Sequence, residues 1–265
     1  MTERMSPQEL LRHYDSATLW DAGCGLELGV AYEHALTVRE MRIARGERPV
    51  GFKIGFTNRS IWPRYNVFAP VWGTVWNTTL THCEDQAAIS LAGTCQPRLE
   101  PEAVFGVRHT PPAHASLQQL FESIEWVAPG FEVVHSHQPD WKFVAADTVA
   151  DGGLHGRLLV GKRTPVREIA ADAQTFDRKL ASTRVVLSKN GMPKEEGVGA
   201  NVLDGPLHAL LDFLQTLRNC PGAPDLQPGD VVTTGTWTDA WPVAPGERWT
   251  ARFDSPLAPL AITFN

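Results

Sequence analysis

The sequence predicts an α+β protein, a mixed β-sandwich roll with an N-terminal helical part, and three observations predict it. Beyond residue 49 the apolar runs are short and alternate, as in Val50, Phe52, Ile54 and Phe56, which is the period-two signature of strands. Turn signals separate the runs: Lys189-Asn190-Gly191-Met192, Gln227-Pro228-Gly229-Asp230 and Ala244-Pro245-Gly246-Glu247. Helical signals are few, and many short strands with turns between them imply a sandwich or roll rather than a doubly wound sheet.

The elements follow in order. Ser6-Pro7-Gln8-Glu9 is a helix start with proline in the first turn, and Leu10, Leu11 and Tyr14 give that helix an apolar face. A second helix is expected from about Leu26 to Arg45, after Gly23-Cys24-Gly25. Residues 1–48 therefore read as a helical cap, and 49–265 as the β-rich part that carries the chemistry. In the strand Val50–Thr57, Lys53 lies on the opposite face from Val50, Phe52, Ile54 and Phe56, between Gly51 and Gly55. The glycines leave room for a group to approach the lysine. It reads either as a solvated lysine or as a site lysine that neutralises or protonates an anion.

Residues 58–82 hold Trp62, Tyr65, Phe68, Trp72 and Trp76 among turn residues and are expected to form a long loop or lid. Gln96-Pro97-Arg98-Leu99-Glu100-Pro101-Glu102 then leads into the apolar Ala103-Val104-Phe105. Alternation along a strand puts Glu100 and Glu102 on one side. Paired carboxylates at the edge of an apolar run repel each other and lose hydration, and a divalent cation removes both costs. All-oxygen ligands suit Mg²⁺ or Mn²⁺ better than zinc. The alternative is a solvent-facing edge strand marked by Pro101.

Ser116–Val127 is expected to be a helix stopped by Pro129-Gly130. Glu132 follows as a lone carboxylate in the apolar strand Phe131–Val134, a residue that needs a partner if buried. His135 and His137 read as a polar strand face rather than a metal pair. Asp147 to Gly153 is a turn-rich loop whose two aspartates are placed to bond backbone. Gly205-Pro206 opens a helix bearing Leu207, Leu210, Leu211, Leu214 and Leu217 at helical spacing.

Composition sets outer limits. The chain has 265 residues and a net charge of −6, which argues against nucleic acid as partner. Met1–Leu11 does not resemble a signal peptide and no apolar run is long enough for a bilayer, so neither a membrane partner nor export is expected. Cys24, Cys83, Cys95 and Cys220 are scattered without metal spacing, consistent with reduced thiols in the cytoplasm.

Several segments together resemble the fumarylacetoacetate hydrolase superfamily, in its 2-keto-4-pentenoate hydratase and 4-oxalocrotonate decarboxylase branch. They are Gly51–Thr57, Gln96–Glu102, Ile124–Val127 with Phe131–Val134, Asp147–Asp151, Pro206-Leu207 and Gly229–Gly235. The resemblance runs in order from about residue 25 to the end. It implies a homo-oligomeric mixed β-sandwich roll, with Glu100, Glu102 and Glu132 as Mg²⁺ or Mn²⁺ ligands and Lys53 as the active-site lysine. The reaction it implies is hydration of a 2-hydroxy-2,4-dienoate to a 4-hydroxy-2-oxo acid in aromatic-compound catabolism. Decarboxylation of a 2-oxo-3-enedioate is the alternative, and an impaired relative that supports a pathway enzyme by assembly is another. Thr78 stands where the family usually places an aspartate, and Asp239 is the candidate to take over that role. Arg98, Thr78, Trp237 and Trp241 are the expected substrate-binding residues, although both tryptophans also read as packing for the 236–242 loop.

Overall fold

Strand register along the sequence builds two stacked sheets, and a small helical layer covers the outer face of the larger one. The computed structural model describes residues 4–265 without the Tyr65 side chain, so Met1–Glu3 of the expected N-terminal part lie outside the described residues. Its strands are β1 Pro49–Gly55, β2 Val71–Trp76, β3 Leu80–His82, β4 Gln86–Ile89, β5 Arg98–Val107, β6 Ile124–Val134 and β7 His155–Val160. They continue as β8 Thr164–Pro165, β9 Arg184–Lys189, β10 Met192–Val198, β11 Val231–Thr233, β12 Trp241–Pro242, β13 Arg248–Phe253 and β14 Leu260–Phe264. The larger sheet runs β2-β1-β11-β5-β6-β7-β3, with β12 on β5 and β8 on β6, and the smaller runs β10-β9-β13-β14-β4. The helices are α1 Pro7–Ser16, α2 Leu28–Ala44, α3 Trp62–Tyr65, α4 Leu117–Ser123, α5 Ala145–Ala150, α6 Val166–Ile169, α7 Ala173–Ser182 and α8 Pro206–Asn219. This is the expected α+β sandwich roll.

Alternation then decides which side chains face the sandwich. Phe52, Ile54, Leu99, Phe105, Phe131 and Val133 point inward to meet Leu187, Trp249, Ile262 and Phe264 of the smaller sheet and the leucines of α8. Lys53, Glu100, Glu102 and Glu132 occupy the alternate positions, so they face away from that core. A second core covers them there: Leu10, Trp20, Cys24 and Ala31 from the helical layer pack with Val71, Val134, Trp141, Phe143 and Val149. The N-terminal helices are well marked locally. Ser6 and Glu9 form a reciprocal capping box at α1, with Pro7 in the first turn.

Two expectations, and the edge-strand alternative for β5, are corrected here. Residues 58–82 are not one long lid, because β2 lies within this stretch and pairs with β1 from Pro49↔Trp76 to Gly55↔Val71. Trp72 and Trp76 are accordingly buried. The helix expected over 116–127 ends at Ser123, and β6 runs unbroken through Pro129-Gly130. Ile124–Val134 is buried on both faces, apart from the exposed Glu125, and such a strand reads as a continuous apolar run. Pro129 fits because it falls between the β8 pairing at Trp126-Val127 and the β7 pairing that begins at Gly130. Third, β5 is an interior strand, flanked by β6 and β11. β11 pairs only Val104–Gly106 and β12 only Arg98-Leu99, so residues 234–240 leave the ladder between them. Pro101 sits in that gap, with Trp237 N–H donating to its carbonyl at 3.1 Å. No ladder donor is needed there.

Candidate metal and active site

Register brings the three glutamates together. Glu100 lies directly opposite Glu132 across the β5–β6 pair, and Glu102 opposite Gly130. One carboxylate oxygen from each of Glu100, Glu102 and Glu132 lies within 4.8 Å of the others. Glu102 and Glu132 are fully buried, while Glu100 is partly open. Lys53 of β1, 2 % exposed, places Nζ 3.2 Å from Glu132 Oε2.

The flanking glycines have separate reasons. A Cβ on Gly55 would lie 3.2 Å from Lys53 Nζ, whereas one on Gly51 would strike the Val231 carbonyl at 1.9 Å. Gly55 leaves room for the lysine, as expected, and Gly51 instead admits the parallel partner β11. Gly235 has φ +93, and a Cβ there would lie 1.8 Å from Thr57 Oγ1. The residue must be glycine for its N–H to reach Glu102 Oε2 at 2.7 Å.

The electrostatics follow from burial. Glu100 and Glu102 are pushed well above the usual carboxylate range, first by loss of hydration and then by the neighbouring glutamates, against the pull of Lys53. Glu132 is also raised by burial, with Lys53 opposing. Burial alone would lower Lys53, but Glu132, Glu100 and Glu102 together raise it, so it is held as an ammonium. Lys53 is the one ammonium beside the three carboxylates among the described residues, with Arg98 acting more weakly on Glu100. Among the described residues Glu102 Oε1 and Glu132 Oε2 are buried without a hydrogen-bond partner, the second lying 3.2 Å from the Lys53 ammonium. Unsatisfied buried oxygens converging from three carboxylates fit a hard divalent cation.

His155 and Thr79 complete the arrangement and were not anticipated. His155 Nδ1 is 2.9 Å from Glu132 Oε1, and its Nε2 is 2.8 Å from Thr79 Oγ1. Burial, then the nearby Lys53, holds the imidazole well below its usual pKa. It is therefore neutral, and because the carboxylate accepts, the proton sits on Nδ1. A partner that fixes a carboxylate in this way tunes its hold on a metal. His155→Gln is expected to weaken divalent-metal affinity about 10–100-fold while leaving the fold intact, as read by isothermal titration. Unchanged affinity would contradict this role.

A cavity of about 30 Å³ opens on Lys53 and Glu100. Its apolar wall is Phe56, Ile61, Val134, Trp141, Phe143 and Leu154, and Lys53 is the one cationic residue of its lining among the described residues. Asp239 lines its mouth and pairs with Arg64 at 3.1 Å. Arg98 lies over the Trp141 ring, 4.2 Å from its centroid, and does not itself line the cavity.

The other expected binding residues are elsewhere. Thr78 is in an exposed turn, donating to Glu47 Oε2 at 2.9 Å. It is the next residue, Thr79, that turns inward. Trp237 is fully buried with its ring edge-on to Phe253, centroids 5.2 Å apart. Trp241 donates from Nε1 to Glu195 at 2.7 Å and stays outside the cavity lining. The two rings pack the loop, as the alternative held. His135 and His137 also depart from expectation: both are buried past the end of β6, not displayed on a polar face. Asp147 and Asp151 do bond backbone, to Cys24 N–H at 2.7 Å and His137 N–H at 2.8 Å.

No protein-family model matches the chain. It is 35% identical over 222 residues, 83% of its length and 80% of the relative's, to a 2-hydroxyhexa-2,4-dienoate hydratase of Comamonas testosteroni. It is 31% identical over 225 residues, 83% and 80% of the two chains, to the TodF product hydratase of Pseudomonas putida. A 4-oxalocrotonate decarboxylase of a Pseudomonas species matches at 28% over 226 residues, 84% and 80% of the two chains. Among solved structures, 4-oxalocrotonate decarboxylase from Pseudomonas putida G7, complexed with magnesium and adipate, superposes with a TM-score of 0.85 at 24% identity. That match covers 98% of this chain and 95% of the other. Fumarylpyruvate hydrolase from Pseudomonas aeruginosa, with Mn²⁺ and pyruvate, shares the fold at a TM-score of 0.56 and 16% identity, over 82% and 89% of the chains. With the three carboxylates and the lysine on the expected strands, the chain belongs to the 2-keto-4-pentenoate hydratase and 4-oxalocrotonate decarboxylase branch of the fumarylacetoacetate hydrolase superfamily.

Proposed function

We propose that this protein is a divalent-metal-dependent hydro-lyase that converts a 2-hydroxy-2,4-dienoate with an apolar tail into a 4-hydroxy-2-oxo acid. Its setting would be cytoplasmic breakdown of aromatic compounds. The observation that carries the reading is a cluster of three glutamates and one lysine beside a cavity that Lys53 and Glu100 line together with a wall of apolar side chains. Glu100, Glu102 and Glu132 would hold the cation, Mg²⁺ or Mn²⁺ by their all-oxygen chemistry. When bound, it supplies Lewis-acid stabilisation to the oxygen that gains charge as a 2-oxo acid enolises.

The remaining chemistry belongs to the chain. The substrate first tautomerises, with the 2-hydroxyl proton lost and C5 protonated, to a 2-oxo-3-enoate. Water then adds its hydroxyl at C4 and a proton at C3. Lys53 Nζ is the charged donor at the cavity floor and is assigned the proton transfers. Asp239, at the mouth and paired to Arg64, is assigned the water. The cavity's 30 Å³ holds about two waters, so substrate entry displaces the wall that carries Phe56 and Ile61. The helical part, 1–48, would act as the cap behind the 49–265 catalytic part, in a homo-oligomer.

The wall also separates the two reactions of the branch. A 2-oxo-3-enedioate would bring its second carboxylate against Phe56, Ile61, Trp141 and Phe143, where the lining has no second cation among the described residues. An unpaired carboxylate in such a place is strongly disfavoured. Turnover of 2-hydroxyhexa-2,4-dienoate is therefore expected to exceed that of 2-oxo-3-hexenedioate by about 100-fold or more in kcat/KM. Release of CO₂ from the enedioate at a comparable rate would overturn the assignment. In the same assay Asp239→Asn is expected to lower kcat, and unchanged turnover would remove Asp239 from the mechanism.

A further inference from the structure

One side chain outside the cavity lining holds a wall of the cavity in place. Gln96 stands just before β5, yet its amide bonds to the loop that follows β6. Nε2 donates to the carbonyls of Ser136 and Gln138 at 2.9 and 2.8 Å, and Oε1 accepts the Asp140 N–H at 2.9 Å. Only this orientation of the amide serves two acceptors and one donor together. The Gln96 carbonyl then accepts Trp141 Nε1 at 3.0 Å. Four hydrogen bonds thus fasten one residue of the strand leader to residues 136–141.

The backbone shows why so many bonds are needed. Gln96, Asp140 and Trp141 have φ of +49, +56 and +59, left-handed values that residues with a Cβ seldom adopt. Gln96 also precedes Pro97, a place that ordinarily takes extended backbone, and a bulky ring such as Trp141 is a marked outlier there. Strained residues of this kind persist only where the surrounding structure over-determines them. The Gln96 bonds do that, and they hold the Trp141 ring in the cavity wall. Arg98 covers the ring, 4.2 Å from its centroid. Phe143 packs on Trp141 with centroids 5.9 Å apart, and Phe56 stands edge-on to Phe143. Arg98 and Glu100 share a face of β5, so the aromatic wall is tied to the strand that carries the glutamates.

We infer that Gln96 is a positioning residue that sets which length of apolar tail the site prefers, resting on the reading of the site as one for 2-oxo acids. The cavity walls differ in how they are held. Ile61 lies in the stretch after β1, which is fastened at the surface by Arg59–Asp204 and Arg64–Asp239 at 3.1 Å, and exposed pairs hold weakly. That wall gives way on entry, while Trp141 stays fixed and measures the tail. Without the Gln96 amide, Trp141 relaxes from its left-handed backbone and the tail loses its fixed contact. Gln96 makes no hydrogen bond to the three glutamates among the described residues, so metal affinity does not depend on it.

Saturated analogues separate tail selection from turnover. Isothermal titration of the full-length, Mg²⁺-saturated protein compares 2-oxopentanoate with 2-oxohexanoate, which differ by a single methylene group. Wild type is expected to bind the longer acid about 4–10-fold more tightly. In Gln96→Met this ratio should collapse toward unity while Mg²⁺ affinity is unchanged. Gln96→Asn, whose shorter amide keeps only part of the hydrogen bonding, should give an intermediate ratio, and it decides the matter if the methionine variant fails to fold. A wild type without preference, or a folded variant that keeps the wild-type ratio, would overturn the role of Gln96. So would an equal loss of affinity for both acids, the mark of a merely structural residue. Failure of wild type to bind either acid would instead overturn the 2-oxo acid reading, and tail selection with it.

Discussion

Replacing Glu102 by glutamine is expected to lower kcat/KM by about 10³-fold, or about 4 kcal/mol of transition-state stabilisation, with loss of tight divalent-metal binding. The glutamate is fully buried, its Oε2 takes the Gly235 N–H and its Oε1 is unpartnered. No other group is placed to replace it. The same substitution should affect stability in opposite directions with and without metal. Glu102 is held above the usual carboxylate range by burial and then by Glu132, so the folded protein binds more protons than the unfolded chain. Metal-free stability therefore falls as pH rises past the ordinary carboxylate value of about 4.3. Glutamine removes this penalty. Metal-free Glu102→Gln should melt above metal-free wild type at pH 8, whereas wild type alone should gain from Mg²⁺. At 100 times Kd that gain is about 2.7 kcal/mol, or about 5–10 °C in Tm for a chain of this size. Scanning calorimetry with and without Mg²⁺ reads both signs, and an identical response of the two proteins would contradict the metal assignment.

The second large effect is expected at Lys53. Lys53→Met keeps the length of the side chain and removes the ammonium that faces Glu132 at 3.2 Å. Loss of a positioned proton carrier lowers kcat by about 10²–10⁴-fold, with KM much less affected because the glutamates remain. The metal-free variant should also be less stable by about 3–5 kcal/mol, since the buried Glu102 and Glu132 and the partly open Glu100 lose their counter-charge. Metal should restore part of that deficit. A variant that keeps wild-type kcat would exclude the lysine from the proton transfers.

Strand alternation explains why this much of the site is legible before any fold is known. Once Val50–Phe56 and Arg98–Phe105 read as strands, the faces of Lys53, Glu100 and Glu102 follow, and Glu132 stands out as an acid in an apolar run. What alternation does not reveal is register. The pairing of Glu100 with Glu132 depends on how β5 and β6 slide, and the His155–Thr79 relay joins segments 76 residues apart. The one local hint of His155 is a histidine after Gly152-Gly153-Leu154 at the start of an apolar strand. Trp237 and Trp241 show the opposite failure. Large rings in a loop resemble a pocket wall, but residues 234–240 leave the ladder and fold Trp237 back against Phe253. Burial of the two histidines was hidden for a related reason: the i, i+2 spacing suggests a strand face, and β6 stops one residue before it.

Metal dependence is read from the initial rate on freshly generated 2-hydroxyhexa-2,4-dienoate, with protein stripped by chelator and then titrated with Mg²⁺ or Mn²⁺. Loss of dienoate absorbance and identification of the product follow the reaction. The stripped protein should show background turnover, with saturable recovery on either metal and a 4-hydroxy-2-oxo acid as product. Full turnover by the metal-free protein, or a metal-loaded protein that forms no hydration product, would contradict metal-dependent hydration.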